Sequence, residues 1–184
     1  MKKNILIYAL MTLLLVTVCS SVFAQTDTKV YNDKKKSVIT YSMSHPLHEW
    51  KGVSNDVTSI IMADANKENI SQVAVSAKIS SFDSKNANRD SHMMEVTDGI
   101  KFPSVTFASK SIEKNGNTLK VKGNLTFHGV TKSISFDAQT KKSGEQLTVT
   151  GGFPVKMTDY KIDPPSLLGI ATKDEFTIDF KIVF

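Results

Sequence analysis

A chain of 184 residues that is 40% hydrophobic and 22% charged has an ordinary globular composition, with enough apolar content for one packed domain and too much for a disordered segment. Its formal charge of +5 comes from lysines scattered along the sequence, and without a platform of basic and aromatic residues nucleic acid is excluded as an expected partner. Only Lys34-Lys35-Lys36 forms a run, which reads as a solvated leader into the first strand.

Lys2 and Lys3 precede an apolar run over residues 5–18, too short for a comfortable membrane span, and Val22-Phe23-Ala24 supplies a signal-peptidase site. Residues 1–24 are therefore expected to be a cleaved signal peptide and residues 25–184 a single domain. Cys19, the only cysteine, follows Val18 instead of the small residue a lipoprotein signal wants, so it should leave with the leader. The exported chain then has no thiol and no disulfide, and relies on its core for stability. Losing the charges of Lys2 and Lys3 lowers the formal +5 to +3.

Residues 37–43 form a short predicted strand with Ile39, Tyr41 and Met43 in the bulkier phase. His45-Pro46-Leu47-His48-Glu49-Trp50-Lys51-Gly52 reads as one helical turn or an irregular corner, since proline fits the first turn of a helix and glycine its end. Residues 53–63 are the second strand and 64–69 a polar turn; the third strand, 72–80, sets Val73, Val75, Ala77 and Ile79 on one face. Residues 83–99 are the best helix candidate, with Asp83 or Ser84 as cap.

The fourth strand, 105–113, leads to Asn115-Gly116, the strongest hairpin signal in the chain. In the fifth, Leu119, Val121, Gly123, Leu125 and Phe127 alternate with polar residues, and a short segment containing Gly129 joins it to the sixth, near 131–140. A turn at Lys142-Ser143-Gly144-Glu145 precedes the seventh, 146–155, where Gly151 shares the inward phase of Leu147, Val149, Phe153 and Val155. Glycine there suggests a kink or the close approach of something on the inside, and Gly123 and Gly151 together suggest interior space. Residues 157–172 form a loop, because Asp163-Pro164-Pro165 suits neither helix nor ladder. The eighth strand alternates Phe176, Ile178, Phe180, Ile182 and Phe184 with more polar residues.

Eight strands with one apolar face each must hide those faces, and closing the sheet also removes its edges. The expected fold is all-β: an eight-stranded antiparallel barrel with one or two short helices. A barrel of about eight strands is either filled by side chains or holds one small ligand, and alternation alone leaves both open.

The phrase Gly123-Asn124-Leu125-Thr126-Phe127-His128-Gly129-Val130-Thr131-Lys132 resembles the signature of the YceI-like family, as do Arg89-Asp90-Ser91-His92-Met93 with Phe102-Pro103 and Phe107, and residues 37–45. The resemblance covers nearly all of the chain after the leader. It implies a lipocalin-like barrel, periplasmic in a Gram-negative envelope, that sequesters or carries a long isoprenoid or fatty-acyl lipid and performs no catalysis. It tips the choice towards a pocket; the alternative is a packed barrel acting as a ligand-free interaction or stress-response module. One segment departs from the family. Met157-Thr158-Asp159-Tyr160-Lys161-Ile162 stands where the commoner pattern has arginine, serine, aspartate, phenylalanine and glycine, so ligand length and head-group preference do not carry over.

Tyr41, Met43, Val75, Phe107, Leu125, Phe127, Phe136, Phe153 and Phe180 are the expected apolar lining. His45, Trp50, Arg89 and His92 are candidates for the mouth, with two bland alternatives: Arg89, Asp90 and His92 anchoring the helix through an ion pair, and Trp50 plugging the barrel bottom. His45, His48 and Glu49 on one helical turn could offer metal ligands, but no further carboxylate motif accompanies them, and neither metal nor cofactor is expected. There is no Gly-x-Ser-x-Gly elbow, and Asp159 and Asp163 lie in a proline-rich loop with nothing to raise a pKa, so the chain does not read as an enzyme. The expected partner is the lipid, with transient membrane contact, in a monomer or homodimer.

Overall fold

The computed structural model describes residues 27–167 and 169–184; the expected leader lies outside them. In chain order the elements are β1 (Thr28–Tyr31), β2 (Val38–His45), β3 (His48–Ser54), β4 (Val57–Ala63), β5 (Ile70–Lys78), α1 (Ala87–Val96), β6 (Ser104–Asn115), β7 (Thr118–Phe127), β8 (Val130–Ser143), β9 (Gln146–Lys156), β10 (Ser166–Leu167), β11 (Ile170–Ala171) and β12 (Glu175–Val183). Single 3-10 turns occupy Ile79–Ser81 and Thr158–Tyr160.

Ten strands make one antiparallel sheet in the order β1-β4-β5-β6-β7-β8-β9-β12-β2-β3. Only Asn55 and Asp56 separate β3 from β4, so the chain itself joins β3, the last strand of that order, to β4, the second. Counted as one bent strand, β3 and β4 complete an eight-membered circuit with β2, β5 to β9 and β12, the lipocalin-like barrel expected from the sequence. β1 is an additional edge strand paired to β4. It is tied in by Asn32, whose amide donates to the Val57 carbonyl at 3.0 Å and accepts from the Ser59 N–H at 2.7 Å.

The strands form because alternation matches the pleat. Along β7, Leu119, Val121, Gly123, Leu125 and Phe127 are buried, while Lys120 and Lys122 face water. Glycine supplies positive φ at the tight turns, 58° at Gly116, 59° at Gly144 and 71° at Gly129, and between β7 and β8 His128 joins Gly129 at φ 48°.

Two expectations are corrected. Residues 45–52 form no helical turn: β2 and β3 are a hairpin in which His45 opposes His48 across Pro46-Leu47. Proline's fixed φ suits the first central residue of a turn as well as the first residue of a helix, which is why the sequence misleads. The helix is capped by Asn86, whose side chain accepts from the Arg89 N–H at 3.1 Å. Asp83 instead pairs its backbone with Val53, and the Ser84 N–H donates to Asp90.

Gly123 and Gly151 do not leave empty space. A Cβ at Gly151 would lie 2.7 Å from the Phe180 ring, and one at Gly123 would strike the Phe107 ring and the Ala108 carbonyl. Gly52 stands in the same relation to Tyr41, its cross-strand partner. Each glycine lets an aromatic ring lie flat on the sheet, the close approach that the phase of Gly151 suggested.

Replacing Gly123 or Gly151 by valine should therefore displace a ring and lower stability by about 1–3 kcal/mol in denaturant titrations. Gly116→Ala, at φ 58° with nothing within 4 Å, should cost only about 1 kcal/mol, through its backbone alone.

Candidate functional site: an apolar cavity

With its largest rings flattened against the wall, the sheet leaves a cavity of about 230 Å³. All nine residues expected as lining face it: Tyr41 and Met43 from β2, Val75 from β5, Phe107 from β6, Leu125 and Phe127 from β7, and Phe136, Phe153 and Phe180 from β8, β9 and β12. Phe136 is the hub of the aromatic wall, stacked on Phe153 at 4.9 Å between centroids and tilted or edge-on to Phe107 and Phe180 at 5.4 and 5.7 Å. Among the described residues no carboxylate and no lysine lines the cavity.

Polar groups gather at one end, under α1. Arg89, the only arginine of the sequence, holds its guanidinium 5.2 Å from the ring of Trp50, the only tryptophan. The His48 ring lies 5.2 Å from Trp50 and 5.5 Å from His45, so the stack runs up the β2–β3 hairpin. Burial raises the Tyr41 phenol above its ordinary pKa, partly opposed by the hydrogen bond from Trp50. Arg89, His92 and Trp50 all line the cavity, which reaches solvent beside the exposed His92 and the half-buried Arg89.

Several roles differ from expectation. Arg89 stacks on Trp50, Asp90 holds the Ser84 N–H, and the His92 Nδ1 pairs with Glu95 at 3.2 Å, so no ion pair between helix neighbours Arg89 and Asp90 forms the anchor. Trp50 sits at the mouth and plugs nothing at the bottom. His45 is buried and does not line the cavity. Its Nδ1 accepts from the Leu47 N–H at 3.2 Å and its Nε2 donates to the Ile170 carbonyl at 3.1 Å, which ties β11 to the hairpin and occupies both ring nitrogens. Among the described residues no three histidine, cysteine or acidic side chains form a metal-binding cluster.

Other lining residues were not singled out beforehand. Phe176, Ile182 and Phe184 were legible, being in the inward phase of β12, whereas Met93, Ile162 and Pro165 come from a weakly amphipathic helix and a loop with no period to read. In the segment that departs from the resembled phrase, Met157 lines the cavity where an arginine was expected. Lys161, at the glycine position, takes φ 59°.

A family model described as the YceI-like domain matches residues 31–184. The chain belongs to the YceI-like family. Protein YceI of Salmonella newport (strain SL254) is 32% identical over 148 residues, 79% of this chain and 76% of the relative. Two solved structures share the fold of this YceI-like chain. BcnA of Burkholderia cenocepacia has a TM-score of 0.74 at 20% identity, over 83% of this chain and 99% of its own. A polyisoprenoid binding domain from Saccharophagus degradans, implicated in plant cell wall breakdown, has a TM-score of 0.70 at 13% identity, over 85% of this chain and 98% of its own.

The 3-10 turn at Thr158–Tyr160 closes over the same end. The Tyr160 carbonyl accepts from the His128 Nδ1 at 2.8 Å, and its ring packs 5.5 Å from Phe127. Only 2% exposed, Tyr160 has its phenol pushed up to about 12 by burial, with nearby Asp159 adding to the effect. The folded state therefore keeps a proton that the unfolded chain releases near 10.0, so the stabilisation is complete below that pH and is lost as pH rises towards about 12. Stability should fall over that window by about 2–3 kcal/mol more in the natural protein than in Tyr160→Phe, as read by urea unfolding at stepped pH.

Proposed function

We propose that this protein is an exported lipid carrier that shelters one isoprenoid or fatty-acyl chain in the barrel interior, with the chain's polar end at Trp50, Arg89 and His92. The observation that carries the reading is the cavity's asymmetry: an apolar lumen with neither carboxylate nor lysine, and a single guanidinium at its wet end. Family membership and the Saccharophagus degradans domain, named for polyisoprenoid binding, support the same class of ligand. The work is binding and sheltering, with no chemical step.

Burying a methylene contributes about 0.8 kcal/mol before ordering costs, so an acyl or prenyl chain needs no ion pair to be held. A long polyprenyl chain would have to displace flexible side chains such as Met43, Met93 and Met157 or leave its remainder at the mouth. Leu47 and Ile100, exposed in turns, and Ile170, exposed on β11, stand at that end, where a transient membrane contact would let a lipid pass. Export rests on the leader read in residues 1–24, which also supports a periplasmic location.

Organic extraction and mass spectrometry of the processed protein, purified without detergent, should recover a near-stoichiometric prenyl or acyl species. Recovery of nothing above a matched control, even after incubation with candidate lipids, would instead favour the packed-barrel module.

A further inference from the structure

The two ends of the cavity are built differently. At the mouth the cover is α1, which has no buried residue and contributes Arg89, His92 and Met93 to the lining. At the far end the lining is Ile61, Ile182 and Phe184, which are 1%, 5% and 8% exposed.

That far end is also fixed in its backbone. The Phe184 N–H donates to the Leu147 carbonyl at 2.8 Å, and the Leu147 N–H returns the bond at 2.9 Å. One residue earlier, the Val183 N–H donates to the Ser37 hydroxyl at 3.2 Å, while the Val183 carbonyl accepts from the Asp33 N–H at 2.7 Å. Phe184 is thus held through its own backbone and that of Val183, with its ring in the inward phase of β12 among Val57, Ile61, Ala63, Leu147 and Ile182.

Resting on the carrier reading above, we infer that Phe184 is a chain-length stop that sets how long an apolar tail the protein accepts. A tail entering past Trp50 and Arg89 gains contact with each carbon until its terminal methyl meets the Phe184 ring. Carbons beyond that length stay at the mouth in water. Ala138 is the complementary position: 2% exposed, it lines the lower lumen opposite Leu119 on one side and Gly151 on the other, so a larger side chain there shortens the channel.

Affinity measured across saturated fatty acids of increasing length, from octanoate to stearate, reads the stop directly. For the natural protein it should tighten about fourfold per methylene and then level off at a break length. Phe184→Ala, which opens the floor, should move the break to longer acids, and Ala138→Leu should move it to shorter ones. Simple destabilisation would weaken every length in both variants, so shifts of opposite direction identify a stop. A break at the same length in all three proteins overturns the stop while leaving the carrier reading intact. Absence of binding at any length by the natural protein, for these acids and for a matched series of prenols alike, overturns both.

Discussion

An antiparallel strand with apolar residues on one face is stable only when that face is covered, and nearly every strand of this chain has such a face. Covering by a second sheet would require about twice as many strands. The chain instead turns its single sheet back on itself and closes the circuit covalently, passing from β3 to β4 through two residues. Because one bent strand pairs with β2 through its first half and β5 through its second, the pairings of the whole circuit are tied together, with irregularities confined to the shifts at Met62–Ala63 and between Ser109 and Ser111. Register, and with it the inward set of side chains, is over-determined.

A closed circuit of eight strands gives little interior room, and large rings pointing straight across it would fill the lumen. Glycines opposite or diagonal to Tyr41, Phe107 and Phe180 let these rings lie along the wall, so aromatic bulk is buried without occupying the axis. The aromatic cluster around Phe136 is therefore part of the barrel's lining, and the cavity is a consequence of where the glycines stand.

Alternation made the strands and the inward residues legible, from Tyr41 in β2 to Phe180 in β12, because a period of two leaves a side chain one of two faces. The β2–β3 hairpin was hidden because Pro46 and Gly52 suit the ends of a short helix equally well. β1 was hidden because four residues, Thr-Lys-Val-Tyr, on a sheet edge carry almost no contrast. How Gly123 makes interior space was hidden for a different reason: a glycine that makes room for a neighbour's ring and one that leaves a hole look identical until the neighbour's register is known. Met93 escaped because it faces the lumen from a helix whose apolar and polar faces are hardly distinguished.

That same lack of contrast in α1 has a kinetic meaning. A cover with no fully buried residue, only Met93, Met94 and Val96 packed half-buried against the core, costs less to lift than the strands beneath it, which the closed circuit locks. On the carrier reading, a lipid in the lumen would exchange by the easier of these openings, the fraying of the Asn86-capped helix, and its residence time would be uncoupled from the lifetime of the barrel itself.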